Sequence, residues 1–374
     1  MSRGPAALTL GRTSRSLEAD ARSFSRPRRS PLRSAWPLTG DHLPLRNRSR
    51  STTRARDRYV SVVPRVTRPH LAEAGEECAS DRSGVPHTIA HPEDDPELQQ
   101  VLAWIRSAPV AQLMTGAVVE AIEYVLDGAR TFRFDLGSPE VDSDERRTVG
   151  VKLQYRILEA FGLPKEPPLD TSIVGIPVEP KATIGGNWAI PREGQCEICL
   201  LTQVDSTNDR FRVFLMRTHR RWLNEGKNQD SKRTIRADAR DRFATTVLDW
   251  TPLPHNPLKD LTPEQLAIVF EARVGIKRRV TALFGFLPEV VIPRAAIETV
   301  AAMAKDPLRR ARQAKPDVFF SHDLVVLMGT WTPQRELAAR HGFDLSGDAW
   351  VAVRRETLGA DYDAAKAMME RTGN

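Results

Sequence analysis

The stretch Pro168-Leu169-Asp170-Thr171-Ser172-Ile173-Val174-Gly175-Ile176-Pro177-Val178-Glu179-Pro180-Lys181 decides how this chain is read. From Leu169 onward helical periodicity gives way to strands and turns, and Ser172–Lys181 reads as a strand. Positions i and i+2 of a strand share a face, so Glu179 and Lys181 project together toward Asp170 at the strand start. Two carboxylates and one ammonium then converge. Hard oxygen ligands of this kind suit Mg2+, and a lysine beside such an ion can orient or deprotonate an attacking water. That chemistry fits phosphodiester hydrolysis. Spacing alone is a weak signal that favours a solvated strand face, since an Asp, a Glu and a Lys fall this way in many proteins. Pro316-Asp317 also precedes an apolar strand, yet no acid-x-Lys follows it.

Working outward, three helices are predicted before that strand. The first begins after His91-Pro92-Glu93-Asp94-Asp95 and runs through Leu98, Val101, Leu102 and Ile105. The second spans Val110 to Leu126 and stops at Asp127-Gly128, and the third spans Val149 to Phe161. Downstream, Glu197–Val204 and Phe211–Met216 read as strands around a polar turn, so helices are followed by a meander. The prolines of Trp250-Thr251-Pro252-Leu253-Pro254-His255-Asn256-Pro257 mark a linker. Thr262, Pro263 and Gln265 then form a capping box that opens a second region, with helices over 264–274, 276–287 and 294–304 and a strand pair Val318–Met328 and Ala349–Val353. Helices with a small appended sheet predict a winged-helix-like DNA-binding domain.

Charge separates the N-terminus from the rest. Of the 374 residues with net charge +7, residues 1–84 contain 17 Arg, no Lys and 8 acids, a net of +9, which leaves −2 for residues 85–374. Arg, Ser and Pro dominate this segment and apolar periodicity is absent, so it reads as a disordered extension, with a nucleic-acid-binding arm as the sharper reading. Its prolines break any amphipathic targeting helix. Apolar residues are 40% of the chain and no stretch approaches the roughly 20 apolar residues that cross a bilayer, so no membrane partner is expected. Three cysteines are too few for a disulfide scaffold and point to the cytoplasm.

The run from Asp170 to Lys181, then Gly186-Asn187-Trp188-Ala189-Ile190-Pro191 and Glu197-Ile198-Cys199-Leu200-Leu201, resembles the NaeI-type restriction endonucleases, within the wider PD-(D/E)xK nucleases. The resemblance extends upstream to Leu126-Asp127-Gly128-Ala129-Arg130-Thr131 and Thr148-Val149. It continues downstream through Arg273-Val274, Leu283-Phe284 and Ile292-Pro293-Arg294-Ala295-Ala296-Ile297, covering roughly residues 93–355. It implies an α/β restriction-endonuclease-like catalytic domain, helices plus a mixed central sheet, followed by the winged-helix-like domain. It also implies that Asp170 and Glu179 bind the catalytic Mg2+ and that Lys181 sits by the attacking water. A site-specific type II DNA endonuclease of a restriction system is the function implied, a homodimer acting on double-stranded DNA, with a second DNA copy as effector. Two positions depart from the pattern: the helix acid that the family places near the metal falls at Val151 or Gly150, and Pro180 interrupts the catalytic strand. These departures motivate an alternative, a catalytically impaired DNA-binding protein derived from such a nuclease.

The expected organisation is thus an extension over 1–84, an endonuclease domain over 92–250, a DNA-binding domain over 258–356 and a tail over 357–374. DNA contacts are expected from Arg217, Arg220, Lys227, Lys232 and Arg233 in the basic segment that ends near Arg242, and from Lys277, Arg278, Arg279 and Arg294 in the second domain. Cys196 and Cys199 resemble a metal or redox pair, but residues three apart on a strand face opposite sides, so they read as buried structural residues. His219, His255, His322 and His341 are scattered, and no histidine chemistry is expected.

Overall fold

In the computed structural model the described residues are 70–79, 84–226 and 231–371. Strands β1 (Glu77–Ala79) and β2 (Pro86–Thr88) form an antiparallel ribbon with Cys78 opposite His87. Ala72, Cys78 and Ile89 are buried, and the Trp222 indole N–H donates to the Ala72 carbonyl at 2.8 Å. The disordered extension expected over 1–84 is therefore corrected over its described part: residues 70–79 are packed because they cover apolar surface. Residues 1–69 and 80–83 lie outside the described residues.

Helix α1 (Pro96–Ser107) starts where Asp95 accepts the Leu98 N–H and Pro96 occupies the first turn. Its Leu98, Val101, Leu102 and Ile105 are all buried, as their spacing predicts. Helix α2 (Val110–Leu126) ends at Asp127 in the left-handed region, φ 43°, and a single turn, α3 (Gly128–Thr131), follows. Asp142 and Glu145 form a capping box for α4 (Ser143–Ala160), which begins six residues before the expected start.

The expected strand Ser172–Lys181 is two strands. Thr171–Ile173 (β3) turns at Val174 and Gly175, φ 48° and 80°, into β4 (Ile176–Ile184), because a two-residue loop with both residues left-handed matches strand twist. Next come β5 (Ala189–Ile190), β6 (Ile198–Asp205), β7 (Arg210–Arg217), β8 (Arg233–Thr234), α5 (Ala237–Phe243) and β9 (Thr245–Pro252). The central sheet has the order β3-β4-β6-β7-β9, with β4 and β6 parallel and the other pairs antiparallel. It is a mixed sheet rather than the expected meander, and β9 takes in Trp250 and Pro252 that read as linker. One face carries the core built from α1, α2, α4 and the sheet. The other face packs Trp188, Trp222, Phe243 and Ile235 with Cys78, Cys196 and Cys199.

The last region holds a third core. Helices α6 (Pro263–Val269), α7 (Ile276–Phe286) and α8 (Arg294–Ala301) occur where periodicity placed them, each ending earlier, and α6 opens on the Thr262–Gln265 capping box. A long helix, α9 (Pro307–His322), follows, so the expected strand over 318–328 is corrected: residues 318–322 are helical and β10 is Leu324–Met328. Helix α10 (Thr332–Arg340) separates β10 from its antiparallel partner β11 (Trp350–Arg354). The expected tail over 357–374 is also corrected. Its described part forms the end of α11 (Arg355–Leu358) and α12 (Tyr362–Arg371), with Tyr362, Ala365 and Met369 buried against the third core. Among the described residues no single helix is long and apolar enough to cross a membrane.

Candidate active site

The β3–β4 turn folds the chain back so that Thr171 pairs with Val178, which brings Asp170 alongside Glu179. The backbone N–H of Asp170 donates to Glu179 Oε2 at 3.1 Å. Lys181 Nζ lies 2.5 Å from Glu179 Oε1 and 3.8 Å from Asp170 Oδ2. The three residues singled out by spacing are therefore one cluster. Val178 and Ala182 point into the core beside α4, so Glu179 and Lys181 face the opposite side, level with Cys199 and Leu201 of β6.

Glu179 is only 3% exposed, and the approach of the Gly194 backbone helps to cover it: a Cβ at Gly194 would stand 3.3 Å from Glu179 Cγ. Burial lifts the Glu179 carboxyl above the usual carboxylate range, with the Lys181 ammonium opposing the rise. Asp170 is more open and has a second cation, Lys165, whose Nζ is 3.5 Å from Asp170 Oδ1. Lys165 was not anticipated. It enters from the loop after α4, held where the Thr171 hydroxyl donates to the Pro164 carbonyl at 2.7 Å, a contact with no local signature in sequence.

Pro180 is tolerated for a structural reason. β3 pairs with β4 only up to Val178, so from Glu179 onward β4 has β6 on one side and, among the described residues, no strand on the other. An edge is where a strand accepts proline. The acid sought near Val151 has no counterpart there. Val151 is 54% exposed, and the buried face of α4 is Val149, Gly150, Leu153, Ile157 and Leu158. Glu145 is bound to Arg133 at 2.6 Å and Glu159 to Arg156 at 2.6 Å. The donor set that remains, two carboxylates backed by lysine ammonium groups, consists of hard oxygens and fits a small divalent cation.

The basic residues separate into several environments. Arg217 closes β7 and is tied to Asp95 at 2.6 Å and Glu97 at 2.7 Å, so its charge is satisfied within the fold. Arg279 is buried: its Nε donates to the Val269 carbonyl at 2.8 Å, and the guanidinium lies over Phe132 and Phe270. Both expected contacts are spent on structure. Arg220 and Arg233 line an open groove with Arg221, Arg236 and Asn187, and Lys232 is exposed beside it. Lys227 lies outside the described residues. In the last region Arg278 is exposed, Lys277 pairs with Asp317 at 2.8 Å, and Arg294 pairs with Glu298 and Asp348 at 2.7 and 3.2 Å.

A family model described as restriction endonuclease NaeI matches residues 99–365, a span that includes the β3–β4 cluster and all three α-helical segments of the last region's first half. No curated protein matches the chain.

Proposed function

Since the chain belongs to the NaeI restriction endonuclease family, we propose that it is a Mg2+-dependent, site-specific endonuclease whose centre is Asp170, Glu179 and Lys181. The observation that carries this reading is the 2.5 Å and 3.8 Å approach of Lys181 to two carboxylates on adjacent strands. Asp170 and Glu179 would hold Mg2+, which supplies charge neutralisation at the phosphate and acidifies water. Lys181 Nζ orients the attacking water and stands ready to exchange a proton with it. Burial of Glu179 excludes bulk water from that side, which strengthens every charge interaction in the cluster. Lys165 adds positive charge next to Asp170, where a phosphate oxygen would approach.

Around this centre, the groove of Arg220 and Arg233 with Lys232 provides phosphate contacts, and the region over 258–356 acts as a winged-helix-like module in which Lys277, Arg278 and Arg294 meet DNA. Endonuclease and DNA-binding domains follow the first two cores and the third. Cutting both strands of a palindrome calls for two centres related by a twofold axis, hence a homodimer, with a second DNA copy as effector and the cytoplasm as the place of action. The impaired-site alternative is not favoured, because Pro180 sits at an edge that accepts it and the three side chains converge.

Supercoiled and linear DNA incubated with wild type and Lys181→Ala, in Mg2+ and in EDTA, tests the reading. Discrete fragments from wild type should fall by about 10²–10⁴-fold in rate in the variant and vanish in EDTA. Wild type that shifts DNA in a gel under Mg2+ yet leaves it intact would overturn the assignment of catalysis to this cluster.

A further inference from the structure

Far from the carboxylates in sequence, four metal-binding side chains meet. Cys78 and His87 face each other across the β1–β2 ribbon, and Cys196 and His219 flank the adjoining ends of β6 and β7, where the Cys196 N–H donates to the Thr218 carbonyl at 2.8 Å. One ligand atom from each of the four falls within 4.8 Å of all the others. We propose that Cys78, His87, Cys196 and His219 form a structural zinc site that fastens the N-terminal ribbon to the end of the central sheet.

The edge lengths of the cluster support this. Zinc binds thiolate at about 2.3 Å and imidazole at about 2.0–2.1 Å, so a regular tetrahedron has S···S near ~3.8 Å and N···N near ~3.3 Å. Here Cys78 Sγ and Cys196 Sγ are 3.6 Å apart, and His87 Nε2 and His219 Nδ1 are 3.0 Å apart. Two soft sulfurs with two imidazoles select zinc over magnesium or calcium. Three of the four are buried, Cys78, Cys196 and His219 being 3%, 5% and 1% exposed, and His87 is half-buried. The Arg220 backbone N–H donates to Cys196 Sγ at 3.2 Å, an outer hydrogen bond of the kind that orients a metal ligand. Cys196 itself sits at φ 67°, a backbone state that the surroundings must hold.

Cys199, three residues on, stands apart from the cluster: it bonds to Thr218 and the Gly194 carbonyl, and the sulfur that Cys196 meets is 118 residues away. Cys78 and His87 precede the matched residues 99–365, whereas Cys196 and His219 lie within them.

The full chain, purified under reducing conditions without a metal-binding tag, should carry about one zinc per chain by mass spectrometry. Cobalt exchanged into it should show the intense visible bands of a tetrahedral site and a thiolate charge-transfer band. Cys78→Ser and His87→Ala should each lower zinc to roughly a tenth or less, while Cys199→Ala keeps it, since Cys199 is not a ligand. Should those variants fail to fold, wild type decides alone through its cobalt spectrum and the fall in its unfolding temperature on chelation. Folded wild type that takes up neither zinc nor cobalt would overturn the site. So would one reactive thiol in place of the three free cysteines, which would mean a Cys78–Cys196 disulfide.

Discussion

Asp95 accepts the Leu98 N–H that opens α1 and, at 2.6 Å, the guanidinium of Arg217 at the far end of β7. Burial opposes its charge, but the Arg217 ion pair and the Leu98 N–H outweigh that and hold its carboxyl below the usual carboxylate range. A carboxyl lowered in the folded state stabilises above its unfolded value, near ~3.9, and that stability is lost as pH falls through the folded value. Asp95→Asn keeps a capping side chain and removes the charge, so it should cost about 1.5–3 kcal/mol at pH 7. Urea unfolding across pH should show that difference closing below about pH 4, and a difference unchanged at pH 2 would sink the ion-pair account. At this scale the sequence was legible where chemistry is local. Strand alternation, which puts i and i+2 together, brings Glu179 and Lys181 to one face, and the β3–β4 turn adds Asp170. Arg217 and Arg279 turn inward instead, because positive charge is visible in a sequence, whereas the acids, carbonyl and aromatic rings that absorb it come from positions 9 to 147 residues away.

Elements were legible where local signals agree. The Thr262 capping box and the apolar spacing of α1 each placed a helix, but α9 was missed because its surface is strongly basic and Pro316 lies inside it. The break of one expected strand into β3 and β4 was hidden by Val174, a β-branched residue that rarely adopts positive φ. This turn matters to function, since it carries Asp170 back to Glu179. The support behind it is α4, which lies against β4 at Gly150: a Cβ there would come within 3.1 Å of the Ala182 carbonyl oxygen. Gly150→Leu should push the helix off the strand that holds Glu179 and Lys181. We expect a loss of about 1–3 kcal/mol in denaturant unfolding, together with a fall in cleavage rate in the fraction that stays folded. Wild-type stability in this variant would show that the α4–β4 contact is slack.

For the whole molecule, two cores sandwich the mixed sheet and a third lies in the last region. The reach of the chain into these cores was not legible, because composition marks residues 1–84 as one arginine-rich segment, whereas Ala72 and Cys78 are buried in a core. The described residues belong to one compact unit. Beyond Cys78 and His87, the stretch from residue 70 supplies the Ala72 carbonyl to Trp222, Glu76 to Arg221 and Glu73 to Arg242. A chain beginning at Thr67 keeps all of these contacts and is the reference for a shorter one. One beginning at His91 loses two of the four proposed zinc ligands, the hydrogen-bond acceptor of a fully buried tryptophan and two ion pairs. If these are worth about 3 kcal/mol together, its unfolding temperature should fall by roughly 5–10 °C. The loop that runs from Pro191 to Cys196 would then lose its anchor at Cys196, and Gly194, which closes over Glu179, belongs to that loop. Cleavage by the shorter chain should accordingly drop even where it remains folded, and a His91 chain as stable and active as the Thr67 chain would remove residues 70–90 from the working molecule.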